Sequence, residues 1–244
     1  MKSVPGHLPK AVLLDLDDTI LSFDAGAEGC WREICARYAP RLDRCEPAGL
    51  LAAIHESRAW FWSDPERHRR GRLNLEAARY EIVTAALLQL GVDAPALADE
   101  IARSYAAARD ASIQPFPGAI ETLRGLRKRS VKLALITNGR GTDQRGKITT
   151  HALEPLFDYV LIEGEFGAGK PDPRVYLHAL AELKATPAEA WMVGDNLEWD
   201  VAAPQRLGIV GIWVDFTGTG LPAASTVTPD RIIRTLTELL LDRN

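Results

Sequence analysis

The chain is poor in cysteine. Three thiols, Cys30, Cys35 and Cys45, are an odd number at a spacing that matches no zinc pattern, which excludes a disulfide scaffold and predicts free thiols in a reducing compartment. It also lacks long apolar runs. None approaches the ~20 residues of a membrane span, and the leading segment MKSVPGHLPK has no apolar signal-peptide stretch, so the expectation is a soluble, cytoplasmic protein without a membrane partner. An excess of positive charge is missing too. With 29 Lys and Arg against 33 Asp and Glu, net charge is −4, and no global field invites nucleic acid. The basic run ERHRRGR, residues 66–72, reads as a solvated helix end or loop. The five histidines, His7 to His178, show no ligand spacing, and there is no internal repeat or low-complexity tract. Nothing in the pattern speaks to oligomeric state.

What the chain does have is 46% apolar residues over 244 positions, enough for one large core or a core plus a smaller domain. The short runs AVLLDL, VKLALIT, DYVLIEG, AWMVGD and VGIWVDF are rich in Val, Ile and Leu with little alternation, the mark of strands covered on both faces. From Val131 onward they alternate with helix-like segments such as RVYLHALAELK and DVAAPQRLGI, and a last helix is expected within PDRIIRTLTELLLDRN. This rhythm predicts an α/β fold with a doubly wound, mainly parallel sheet. Between the first and second strands no strand signal occurs. LEAARYEIVTAALLQLGV carries apolar residues on one helical face, and a second helix is expected over APALADEIARSYAAARDAS. The predicted organisation is a core made of 1–22 and 115–244 with a helical-bundle cap, 23–114, inserted into it. The aromatic run WFW, residues 60–62, reads as cap core, and Arg58 and Arg72 as mostly solvated.

Charge collects where the strands end. Asp15, Asp17 and Asp18 follow the first apolar run within four residues. Two carboxylates about 4 Å apart repel by roughly 4 kcal/mol at an effective dielectric near 20, a cost that a proton or a hard cation relieves. Residues two apart on an extended chain face the same way, so Asp15 and Asp17 can face one ligand while Asp18 points elsewhere. Thr137 and Asn138 close the second core strand, Lys170 stands in GAGKPDP before a helix, and Asp195 ends VGD with Asp200 five residues on. Acids, a hydroxyl and an ammonium at the carboxyl ends of strands suit a divalent metal and a phosphoryl group.

The segments DLDDT, ITNG, GKPDP and GDNLEWD resemble, in order and spacing, the four signature motifs of the haloacid dehalogenase-like superfamily, and the likeness covers the whole chain because that family's helical cap is inserted after the first strand. The wording is most similar to the phosphatase branch that includes nucleotidases and acylneuraminate phosphatases. The resemblance implies a Mg²⁺-dependent phosphomonoesterase acting on a small-molecule phosphate ester. In it Asp15 is the nucleophile that forms an aspartyl-phosphate, and Asp17 is the general acid and then base. It further implies Mg²⁺ held by Asp15, the Asp17 carbonyl and Asp195, phosphate oxygens held by Thr137, the Asn138 amide and Lys170, and a supporting role for Asp200, which orients metal waters or Lys170. Asn196 reads either as a loop hydrogen bond or as part of the metal's surroundings, and Thr19 as a brace for the turn at Asp17. A dehalogenase on the same fold needs no alcohol-protonating acid, and Asp17 argues against it. A phosphomutase usually has Gly where Asp18 stands. A signalling receiver is about half as long and lacks a helical insert. A silent binding protein would have no use for a full catalytic set.

Overall fold

Ala11–Leu14, the first strand (β1), is buried throughout because it runs through the middle of a sheet. Its neighbours are Lys132–Thr137 (β2) and Ala190–Gly194 (β4), and Tyr159–Ile162 (β3), Val210–Val214 (β5) and Arg231–Ile233 (β6) complete the order β3-β2-β1-β4-β5-β6. Every paired register in this sheet is parallel. All strand carboxyl ends therefore open on one edge. The computed structural model describes residues 8–24, 26–43 and 45–241 and divides into two compact units, 1–22 with 114–244, and 23–113. His7 and residues 242–244 lie outside the described residues.

The elements described in the inserted unit are helices: Ala27–Tyr38 (α1), Pro47–Ser63 (α2), Pro65–Leu73 (α3), Leu75–Gln89 (α4) and Pro95–Ser112 (α5). Proline opens α2, α3 and α5 at a position whose N–H would have no helical partner. Asn74 caps α4 through the Ala77 N–H. Trp31, Ile34, Leu50, Ile54, Val83, Leu87 and Ile101 build its core, with Trp31 stacked on Tyr105 at 3.6 Å between ring centroids. The WFW run is core only at Phe61. Trp60 is 46% exposed, with the Arg67 guanidinium 4.2 Å above its ring. Arg69 and Arg70 of the basic run pair with Glu66 and Glu81 at the surface, as solvated charges do.

Around the sheet stand Ala119–Lys128 (α6), Gly141–Thr150 (α7), Glu163–Phe166 (α8), Pro173–Glu182 (α9) and Ala203–Arg206 (α10). Asp172 caps α9 by accepting from the Arg174 N–H, and Val175, Tyr176 and Ala179 seat that helix against Leu13, Ala134 and Met192 of the sheet. Two expected elements come out differently. The segment before α10 is a π-helical turn, Leu197–Ala202. The expected terminal helix is instead β6 followed by a 3-10 turn, Leu236–Leu240. Backbone pairing with β5 wins over helical spacing there: the Asp230 N–H donates to the Gly211 carbonyl, and the Gly211 N–H donates back to the Asp230 carboxylate.

Candidate active site

The site is built at the sheet edge where β1, β2 and β4 end. The Asp15 N–H still donates to the Val193 carbonyl at 3.0 Å, so the ladder fixes the backbone of the first acid. Its Oδ1 accepts from Lys170 Nζ at 2.6 Å, and the same ammonium donates to Asp200 Oδ1 at 2.7 Å. Lys170 is 2% exposed and Asp200 0%. The lysine is anchored at its backbone. Asn138 Oδ1 accepts from the Lys170 N–H at 2.7 Å, and Asn138 Nδ2 donates to the Lys170 carbonyl at 2.8 Å. The Asp200 carboxylate lies against Gly194, where any Cβ would collide with it, and its Oδ2 accepts from the Asn196 N–H.

Ligand oxygens of Asp15, Asp195 and Asp200 lie within 4.8 Å of one another. Three carboxylates face one buried ammonium, so the cluster is short of positive charge. Burial first, then the charges of Asp15 and Asp200, push Asp195 up to about 9. Burial pushes Asp15 up to about 7, against the pull of Lys170. Burial alone would lower Lys170, and Asp15 and Asp200 overcome it and hold its ammonium well above the ordinary lysine value. Hard oxygen donors carrying an uncompensated charge fit a hard divalent cation. The indole of Trp213 donates to the Asp195 carbonyl at 2.7 Å and holds the strand end in place.

The other residues singled out from the sequence divide by where their side chains go. Thr137 is buried, and its Oγ1 accepts from Gln144 Nε2 at 2.5 Å. Since the Asn138 side chain is taken up by Lys170, the group it leaves for an anion is its backbone N–H. Asn196 caps the π-helical turn through the Glu198 and Trp199 N–H groups. Thr19 departs from expectation: its hydroxyl is buried with no hydrogen-bond partner, so it does not brace the turn at Asp17. Asp18 is buried, with φ at 55°, and its charge is among those that raise Asp195. The Asp17 side chain stands outside the acid cluster. Lys147 Nζ donates to both its oxygens, at 2.8 and 2.7 Å, and Gln144 Nε2 donates to Oδ2 at 3.1 Å. Neither Gln144 nor Lys147 belongs to the motifs read from the sequence. The signal that could have found them is their three-residue spacing on the helix that follows Thr137, which sets both on one face.

A pH dependence follows from the two raised acids. Their folded values, about 7 and about 9, lie above the ordinary 3.8, so folding disfavours their charged forms. The metal-free protein is most stable with respect to these groups below 3.8 and loses stability as pH rises through the two folded values. A divalent cation that neutralises the cluster offsets that loss. At 100 times its dissociation constant it stabilises by about 2.7 kcal/mol. The expected result is a rise in Tm on adding Mg²⁺ that is larger at about pH 8.5 than at about pH 5.5, since protons compete for the same oxygens. An increment equal at both pH values would show that the cation binds elsewhere.

A family model for haloacid dehalogenase-like hydrolases matches residues 9–208. The chain is 35% identical to the phosphoserine phosphatase of Thermus thermophilus over 95% of its own length and 98% of that protein's. It is 30% identical to the ribulose-1,5-bisphosphate 5-phosphatase of Halopiger xanaduensis over 94% and 97%. Among solved structures, a 2-haloacid dehalogenase from Pseudomonas syringae pv. Tomato superposes with a TM-score of 0.62 at 29% identity, over 95% of this chain and 96% of the other. No described helix is long and apolar enough to cross a membrane. The parallel sheet, the acids at its carboxyl edge and a family match running from β1 to α10 agree: this chain belongs to the haloacid dehalogenase-like hydrolases.

Proposed function

We propose that the protein is a cytoplasmic, Mg²⁺-dependent phosphomonoesterase that releases phosphate from small phosphorylated metabolites by way of an aspartyl-phosphate on Asp15. The observation that carries the reading is the separation of two acids two residues apart. Asp15 is fixed by Lys170, while Asp17 stands off the cluster beside Gln144 and Thr137. An ester phosphorus between them meets a nucleophile on one side and a proton donor on the other. Phosphatases aligned along the whole chain support the same chemistry.

In this mechanism the Thr137 hydroxyl, the Asn138 backbone N–H and the Lys170 ammonium hold the phosphate oxygens. The Asp15 carboxylate attacks phosphorus, the P–O bond to the alcohol breaks, and the leaving oxygen takes the proton of Asp17. Asp17, now a carboxylate, accepts a proton from water. The resulting hydroxide attacks phosphorus, and the bond to Asp15 breaks to give inorganic phosphate. Asp200 keeps Lys170 aimed, and Asn196 shapes the loop behind Asp195. Asp15, Asp195 and the Asp17 carbonyl would hold Mg²⁺, which supplies charge neutralisation between the anionic nucleophile and the anionic phosphate.

The test is phosphate release from a panel of sugar, nucleoside and hydroxy-acid phosphates, ranked by kcat/KM, with Mg²⁺ and with a chelator. Release that survives chelation would remove the metal, and no release from any ester would sink the reading. The dehalogenase structure motivates a second assay, halide release from 2-haloacids. The expected outcome is none, because carbon–halogen cleavage has no use for the acid at Asp17.

A further inference from the structure

The ammonium that holds Asp17, Lys147, comes from a helix that no motif marks. We propose that Lys147, assisted by Gln144, is the positioning residue that aims the Asp17 carboxyl group. This rests on the phosphatase reading of the same site. Asp17 sits beyond the last residue of β1, just before a residue with positive φ, and its side chain is 24% exposed. A carboxylate there has rotamers to choose from, and its own strand does not choose among them. The choice is made across the sheet edge, 130 residues along the chain. Lys147 reaches Asp17 from α7 and holds both oxygens, and only 11% of its side chain is exposed. Gln144, one turn earlier, shares its amide nitrogen between Asp17 Oδ2 and Thr137 Oγ1. One helix face thus sets the acid and the phosphate-binding hydroxyl in a common frame, so a misplaced Asp17 would cost turnover and leave phosphate binding in place.

The experiment is Lys147→Met, with Lys147→Arg and Gln144→Met beside it, each checked for wild-type folding by circular dichroism. It compares an alkyl phosphate, whose leaving oxygen must be protonated, with 2,4-dinitrophenyl phosphate, whose leaving oxygen need not be. kcat/KM reports events up to departure of the alcohol. For the alkyl ester it falls by about 10- to 100-fold in K147M, the usual range for a group acting through another. For the dinitrophenyl ester it stays within about 3-fold, while kcat falls and a burst of dinitrophenolate appears, because water activation by Asp17 becomes slow. KM for the alkyl ester is unchanged in K147M, K147R recovers part of the loss, and Q144M, which also removes the donor to the Thr137 hydroxyl, adds a rise in KM on both esters. In K147M, equal losses on both esters, a rise in KM on both, or no loss on either overturns the positioning role. A wild-type protein inactive on every ester is a different result: it fails the phosphatase reading, and this inference with it.

Discussion

Asp15→Asn lowers phosphate release by on the order of 10⁴-fold or more and leaves the protein folded. An amide oxygen neither attacks phosphorus nor forms an acyl phosphate, and losses of that order are typical when a nucleophile is removed from a set that acts as a unit. The substitution is nearly isosteric, so the ladder bond to Val193 and the loop geometry persist. Its effect on stability separates chemistry from collapse. Burial raises Asp15 to about 7, so in the metal-free protein its charge opposes folding increasingly as pH climbs from about 4 past that value. The Asn variant lacks that ionisation. Its metal-free Tm should fall less steeply with pH than the wild type's, even as activity vanishes. Since Asp15 is also a proposed metal ligand, the Mg²⁺-induced rise in Tm should shrink in the same variant. Turnover within about tenfold of wild type would exclude Asp15 as nucleophile.

The parts of this protein legible in its sequence are those whose signal is local. Five buried strands announce themselves as Val, Ile and Leu runs, and acids, hydroxyl and ammonium sit where those runs stop. The helical insert is visible as a long stretch with no strand signal. What escaped reading depends on partners distant in the chain. RIIRTLTELLL has helical spacing, yet Ile232 and Ile233 pair with β5 and a capping box at Thr235 and Glu238 starts only a short 3-10 turn. Glu163 closes a run that reads as strand, but it opens α8 and turns its carboxylate to accept from the Gly139 N–H, supporting the loop after Thr137. Spacing on one helix could mark Gln144 and Lys147 as neighbours, but their partner Asp17 lies 130 residues from Lys147 and only the fold brings it there.

Lys170→Met should destabilise the protein by about 3–5 kcal/mol and abolish turnover. Among the described residues the ammonium is the one cation inside the acid cluster, 2.6 Å from Asp15 and 2.7 Å from Asp200. Met nearly matches its length and apolar stem, so the loss measured is the charge and its hydrogen bonds. Asp200 is then left fully buried with the Asn196 N–H as its remaining donor. The sign with pH is fixed by the same geometry. The folded lysine is held above its ordinary value of 10.5, so its contribution is complete at neutral pH and is lost only as pH rises through that higher value. Across the physiological range the wild type keeps all of it and the variant none. As pH falls through about 7 Asp15 takes up a proton, and the part of the gap in Tm that comes from its pairing with the lysine should close. Removing Asp200 as well should recover much of the stability, since deleting both members of a buried pair costs far less than deleting one. The double variant Lys170→Met with Asp200→Asn should therefore melt above Lys170→Met alone and still release no phosphate. If it melts lower, the two residues stabilise the fold independently and Asp200 is not there to hold the lysine.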